Sequence, residues 1–113
     1  MFNLDEALAR SGGDASLLYE LIDLFMDIMP ERLSAMQESL AAEDYESLAH
    51  LAHALKGSAG AIGAQRVFEG ALGLETAGKA GNIEESVRML EQLKKEINAF
   101  RTLSSEWQKG FDR

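Results

Sequence analysis

Cysteine is absent from the chain, so neither disulfides nor a thiolate metal site can hold it together. Proline occurs once, at Pro30, and aromatic residues make up only 7% of positions. β-Branched residues are also few, which argues against a sheet. Positive charge is scarce as well: 11 Lys and Arg face 19 Asp and Glu, for a net charge of −8. That balance excludes a general binder of nucleic acid or anionic membrane, because phosphate surfaces demand clustered Lys and Arg. No apolar run approaches the roughly 20 residues of a membrane span. No secretory signal opens the chain, and the expected compartment is the cytoplasm. A nucleotide-binding loop is missing too. "GSAGAIG" at 57–63 has no strand before it and lacks the Gly-Lys-Ser/Thr ending, so ATP-dependent chemistry is not expected.

What remains is rich in Ala, Leu, Glu and Met, the composition of an all-helical domain. A short first segment, "FNLDEALAR", stops at Gly12 and Gly13. Asp14 caps a second, whose apolar residues are Leu17, Leu18, Leu21, Ile22, Phe25, Met26 and Met29, resuming in phase at Leu33, Met36 and Leu40. This reads as one long helix kinked near Pro30, with a break into two helices as the alternative. Asp44 caps the third segment, running through Leu48, Leu51, Ala52, Leu55, Ala59 and Ile62. After a turn near Gly63, the fourth uses Val67, Phe68, Ala71, Leu72 and Leu74. Asn82 with Glu85 resembles a capping box and opens a fifth through Ile83, Val87, Leu90, Ile97 and Phe100. Short connections predict an antiparallel up-down-up-down four-helix bundle with a short extra N-terminal helix. Residues 1–113 form a single domain on this reading, with a helical body at about 3–103 and a polar tail at 104–113 in which no order is expected.

One stretch departs from good helix composition. "HALKGSAGAIGA" at 53–64 holds three glycines, each costing about 1 kcal/mol in a helix interior relative to alanine. At about 100° per residue, Leu51, Leu55 and Ile62 fall about 160°, 200° and 180° from His53, so the imidazole projects away from the apolar stripe. On the same wheel Gly57 lies at about 40° and Gly60 at about 340°, with Lys56 to one side at about 300°. The glycines then form a bare track that lets another molecule approach the ring.

A neutral imidazole is a competent nucleophile near physiological pH without a base to activate it. Lys56 can place a positive charge beside an incoming phosphoryl group. An exposed nucleophile on a convex bundle suits exchange with a protein rather than turnover of a small substrate. His50, at about 60° on the flank of the same face, reads as a surface residue that can tune docking. Glu46, His50 and His53 have the spacing of a metal site, but three donors without a fourth make a zinc- or nickel-binding domain a minor alternative. Glu75 suits either a solvated edge or a hydrogen bond to His53, and Met26, Met29, Met36 and Met89 suit core packing. Ser58 reads as a helix residue bonded to backbone.

The segment "LAHLAHALKGSAGAIGAQRVFEGALGLETAGKAGN" resembles the signature of histidine-containing phosphotransfer (HPt) domains of multistep two-component signalling. The pattern His-x-Leu-Lys-Gly-Ser-x-x-x-hydrophobic-Gly is met at His53, Leu55, Lys56, Gly57, Ser58, Ile62 and Gly63. "ALARSGGDASLLYELIDLFMDIMPERLSAM" is similar to the family's N-terminal helices. The resemblance implies that His53 accepts a phosphoryl group from a receiver-domain aspartate and relays it to another. Lys56 would steady the phosphate, Glu75 would hydrogen-bond the imidazole's other nitrogen, and Lys79 would lie near the phosphate. Gly57 would give the receiver room; the residues' own placement adds Ala54, Gly60 and His50 to the expected docking face, His50 lying outside the family's pattern. The resemblance further implies response-regulator receivers as partners, a hybrid sensor kinase among them, with Mg²⁺ on the receiver, no cofactor in this chain, and a monomer. A receiver-binding adaptor that carries no phosphate is the alternative within the same resemblance.

Overall fold

The computed structural model describes residues 2–111. Five helices follow one another: α1 (Leu4–Arg10), α2 (Ala15–Ala41), α3 (Tyr45–Ala61), α4 (Gln65–Lys79) and α5 (Ile83–Lys109). Side-chain caps start four of them. Asn3, Asp14, Asp44 and Asn82 each accept from a backbone N–H three residues on, satisfying a donor the helix cannot. At Asn82 only half of the expected capping box forms, because the Glu85 carboxylate turns to Arg88. α2 runs unbroken through Pro30, which lies on its exposed face, so the alternative of two helices is not realised.

α2 packs on α3 and α5, and α4 packs on the same two, which closes a four-helix ring; α1 lies against α2 and α3. Neighbours run antiparallel. Lys94 and Gln108 of α5 bond Gln37 and Asp23 of α2 in reverse order, and Gly70 and Gly73 of α4 meet Leu93 and Met89 of α5 in the same sense. The core contains Leu18, Ile22, Met29, Met36, Leu48, Leu55, Leu74, Leu90, Leu93 and Ile97, all essentially without solvent contact. Four residues expected in the apolar stripes instead face water: Leu17, Leu72, Ile83 and Val87. Each sits at the margin of a stripe, where a partner helix covers one side only.

The turn expected near Gly63 forms, and Gly60 has a cause the wheel did not show. Gly63 turns the chain at φ +73°, and a Cβ there would stand 2.4 Å from the Asn3 carbonyl oxygen. Asn3 donates to the Gly63 carbonyl at 2.7 Å, and Phe2 and Ala64 form an isolated bridge. Gly60 is covered rather than bare: Arg10 of α1 donates to its carbonyl, and Phe68 packs alongside.

The C-terminal segment is ordered, against expectation. α5 continues to Lys109, and Trp107 and Phe111 join Tyr19 and Phe2 in an aromatic cluster that extends through Phe100 to Phe25, with ring centroids between 5.3 and 6.4 Å apart. Gln108 adds a hydrogen bond of 2.9 Å to Asp23. The last two residues of the expected tail, 112–113, lie outside the described residues. Trp107→Ala should therefore lower the unfolding free energy by about 2 kcal/mol, below the range for fully buried tryptophans because this ring is only half-buried. Denaturant unfolding checks this, and an unchanged midpoint would show that the aromatic cluster adds nothing to the fold.

Candidate functional site

His53 sits mid-way along α3 with its side chain 67% exposed, projecting outward as the wheel predicts. Beneath it lies Glu75 of α4, whose side chain is only 6% exposed. A carboxylate that dry must be fully partnered. Its Oε2 accepts from His53 Nδ1 at 2.9 Å, and its Oε1 accepts from Lys56 Nζ at 2.9 Å. Lys79, one turn along α4, brings a second ammonium group, and a third partner, to 3.3 Å from Oε2. The solvated-edge reading of Glu75 is thus replaced by a buried hub.

This environment fixes the charge on Glu75. The Lys56 hydrogen bond is the largest influence, opposed by burial and reinforced by His53 and Lys79, and it holds the carboxyl down at about 2. An ionised carboxylate only accepts, so the His53 bond must be Nδ1–H donating. Nε2 then keeps its lone pair and faces away from the carboxylate. The arrangement selects one tautomer and aims the nucleophilic nitrogen at solvent.

On the face expected to receive a partner, Ala54 and Gly57 are exposed, and a Cβ at Gly57 would meet nothing within 4 Å. The clear approach predicted for the glycine track therefore holds at Gly57, while Gly60 is excluded from it by Arg10. The sequence reading missed Arg10, which reaches α3 from α1 and brings a cation to its outer surface; no local pattern marks it. Ser58 Oγ bonds the Ala54 carbonyl, as read.

The opposite flank of the ring is not convex. A groove of about 630 Å³ runs between the start of α3 and the end of α4, lined by residues that include Tyr45, Ala49, His50, His53, Gly78 and Lys79. His50 is exposed along it. Among the described residues no group of three or more His, Cys, Asp or Glu is placed to hold a metal ion, so Glu46, His50 and His53 do not converge as one. No helix among the described residues is long and apolar enough to cross a membrane.

Comparison with known proteins points one way. The family model described as "Hpt domain" matches residues 20–103. The chain is 26% identical over 112 residues to the phosphorelay intermediate protein rdeA of Dictyostelium discoideum, covering 99% of this chain and 44% of that protein. It is 31% identical over 100 residues to the signal transduction histidine-protein kinase BarA of Shigella flexneri, covering 87% of this chain and 11% of that one. The phosphorelay protein LuxU of Vibrio harveyi is 30% identical over 82 residues, covering 73% and 70%. The chain thus spans less than half the length of rdeA and about a tenth of BarA. A crystal structure of the HPT domain from a sensor hybrid histidine kinase of Shewanella superposes with a TM-score of 0.72 at 23% identity, covering 93% of this chain and 94% of that chain, and supports the fold.

The buried hub has a pH signature. Because the folded-state pKa of Glu75 is lowered from 4.5 to about 2, its stabilisation is complete above about 4.5 and is lost as pH falls toward 2. Glu75→Gln should therefore be less stable than the wild type at pH 7, with the gap closing between pH 4.5 and 2. Urea unfolding across that range measures it; a gap independent of pH would mean the carboxylate's charge contributes nothing.

Proposed function

The chain belongs to the Hpt domain family, and from that premise we propose that its site carries a phosphoryl group on Nε2 of His53 between receiver-domain aspartates. The observation that supports this most directly is the ring itself: two-thirds exposed, yet held in one tautomer by a buried carboxylate at 2.9 Å. In the forward step the Nε2 lone pair attacks phosphorus of an aspartyl phosphate. The N–P bond forms, the P–O bond to the aspartate breaks, and the carboxylate leaves with the electron pair. Positive charge developing on the imidazole is balanced through Nδ1–H by Glu75, so the proton stays at Nδ1. The same steps in reverse hand the group to a second aspartate.

The lysines serve the phosphoryl oxygens. An ammonium carries three donors, and Lys56 uses one on Glu75 Oε1, which leaves others for the incoming group. Lys79, more exposed, is free to turn from Oε2 to the phosphate. Ala54 and Gly57 give the receiver its close approach, with His50 at the margin. On this reading the chain has no ATP-dependent kinase activity, no resident metal or cofactor, and works as a cytoplasmic monomer; Mg²⁺ comes with the receiver. Response-regulator receivers are the partners, one of them belonging to a hybrid sensor kinase, as kinases among its relatives suggest.

Incubation with a phosphorylated receiver should give an acid-labile, alkali-stable phosphoprotein, and His53→Gln should abolish the label. Label on His53→Gln would move the acceptor elsewhere, and receiver binding without transfer would favour an adaptor. Gly57→Leu should slow transfer at least about tenfold while thermal stability stays near wild type, since a side chain there meets open space. Parallel loss of transfer and stability would make Gly57 a structural residue.

A further inference from the structure

The reach of Glu75 depends on how near α4 lies to α3, and Gly78 sits at their contact. Gly78 is buried in α4, one turn beyond Glu75. A Cβ at Gly78 would stand 3.4 Å from the backbone nitrogen of Ala49, 3.4 Å from the backbone oxygen of Tyr45 and 3.5 Å from Ala49 Cβ. These neighbours are α3 backbone and a methyl, none of which can swing aside. Gly78 has no positive φ, so no turn demands a glycine there. In a helix interior glycine is a poorer choice than alanine. At this seam alanine would just fit, and any larger side chain would press on α3 backbone.

The seam lies next to the hub. Ala49 precedes His53 by one turn of α3, and Gly78 follows Glu75 by one turn of α4. Both bonds from Glu75 cross this junction at 2.9 Å. Hydrogen bonds weaken beyond about 3.2 Å, so an outward shift of α4 by about 0.5–1 Å would loosen both together. Helices are stiff over one turn, and a displacement at Gly78 carries to Glu75.

We infer that Gly78 is a positioning residue for phosphoryl transfer: by seating α4 backbone against α3 it sets the reach of Glu75 to His53 and Lys56. The inference rests on His53 as the acceptor. A bare Cβ fits at ordinary contact, so the limit falls between alanine and anything with γ atoms. Valine, whose two γ methyls are held in one rotamer in a helix, must force the seam open.

The test is a graded series with two readouts, receiver-to-protein transfer and the His53 tautomer from long-range ¹H–¹⁵N spectra. Gly78→Ala should keep the Nδ1–H tautomer and transfer within about threefold of wild type. Gly78→Val should average the tautomers and raise the Glu75 pKa from about 2. It should also lower the transfer rate at least tenfold, while receiver affinity, set on the Gly57 side, stays within threefold. Ala49→Val opens the same seam from α3 and should repeat the pattern. Should Gly78→Val fail to fold, Gly78→Ser, with a single γ atom, takes its place. Ala80→Trp controls for mere filling of the groove and should leave transfer unchanged. An intact tautomer with wild-type transfer in the seam variants would overturn the inference, and so would equal loss in Ala80→Trp. Wild-type transfer by Glu75→Ala, which removes the acceptor altogether, would instead sink the role given to Glu75, a distinguishable result.

Discussion

A single carboxylate, nearly dry and shared among three cationic or hydrogen-bonding side chains, organises this molecule's chemistry. Glu75 would be costly to bury alone, and what makes it tolerable is the company of Lys56, His53 and Lys79. The dependence runs both ways. The partners keep Glu75 ionised, and the ionised Glu75 dictates which nitrogen of His53 holds the proton. A solvent-facing imidazole elsewhere on the surface would exchange between tautomers; here one is selected before any partner arrives.

The scaffold's contribution is to make that constellation rigid at low cost. All three partners project from α3 and α4, the pair that meets through small residues, so no loop need be ordered to assemble the site. The remaining helices support this pair from behind. α5 packs against α4, α2 against α3, and α1 ties down the turn that joins them through Asn3 and Arg10.

Much of this was legible in the amino-acid pattern because it is local. The helical wheel placed His53 outward, and the caps at Asp14 and Asp44 marked helix starts. Gly57 belongs to the same category: its neighbours on α3 decide that it is open. The rest was hidden because it depends on residues distant in the chain. Gly63 was legible as a turn, but its closeness to Asn3 was not, and Gly60 lies on the wheel's open side yet is covered by Arg10 of the N-terminal segment. Trp107 and Phe111 sit in a polar stretch, and only the fold brings Tyr19 and Phe2 to them. Leu72, Ile83 and Val87 satisfy helical periodicity but lie where the ring of helices covers them on one side only. The groove beside His53 arises from the crossing of two elements, which no single segment encodes.

The aromatic cluster has one more consequence. Phe2 and Phe111 both pack on Trp107, so the two extremities of the described chain emerge side by side, at the pole where α2 begins and α5 finishes. The hub lies toward the other pole. Adjacent extremities favour circular permutation, since a brief peptide could bridge them and the 42–44 connection could be cut. They also mean that cargo spliced on at either extremity would hang from the same pole, leaving the histidine's approach clear.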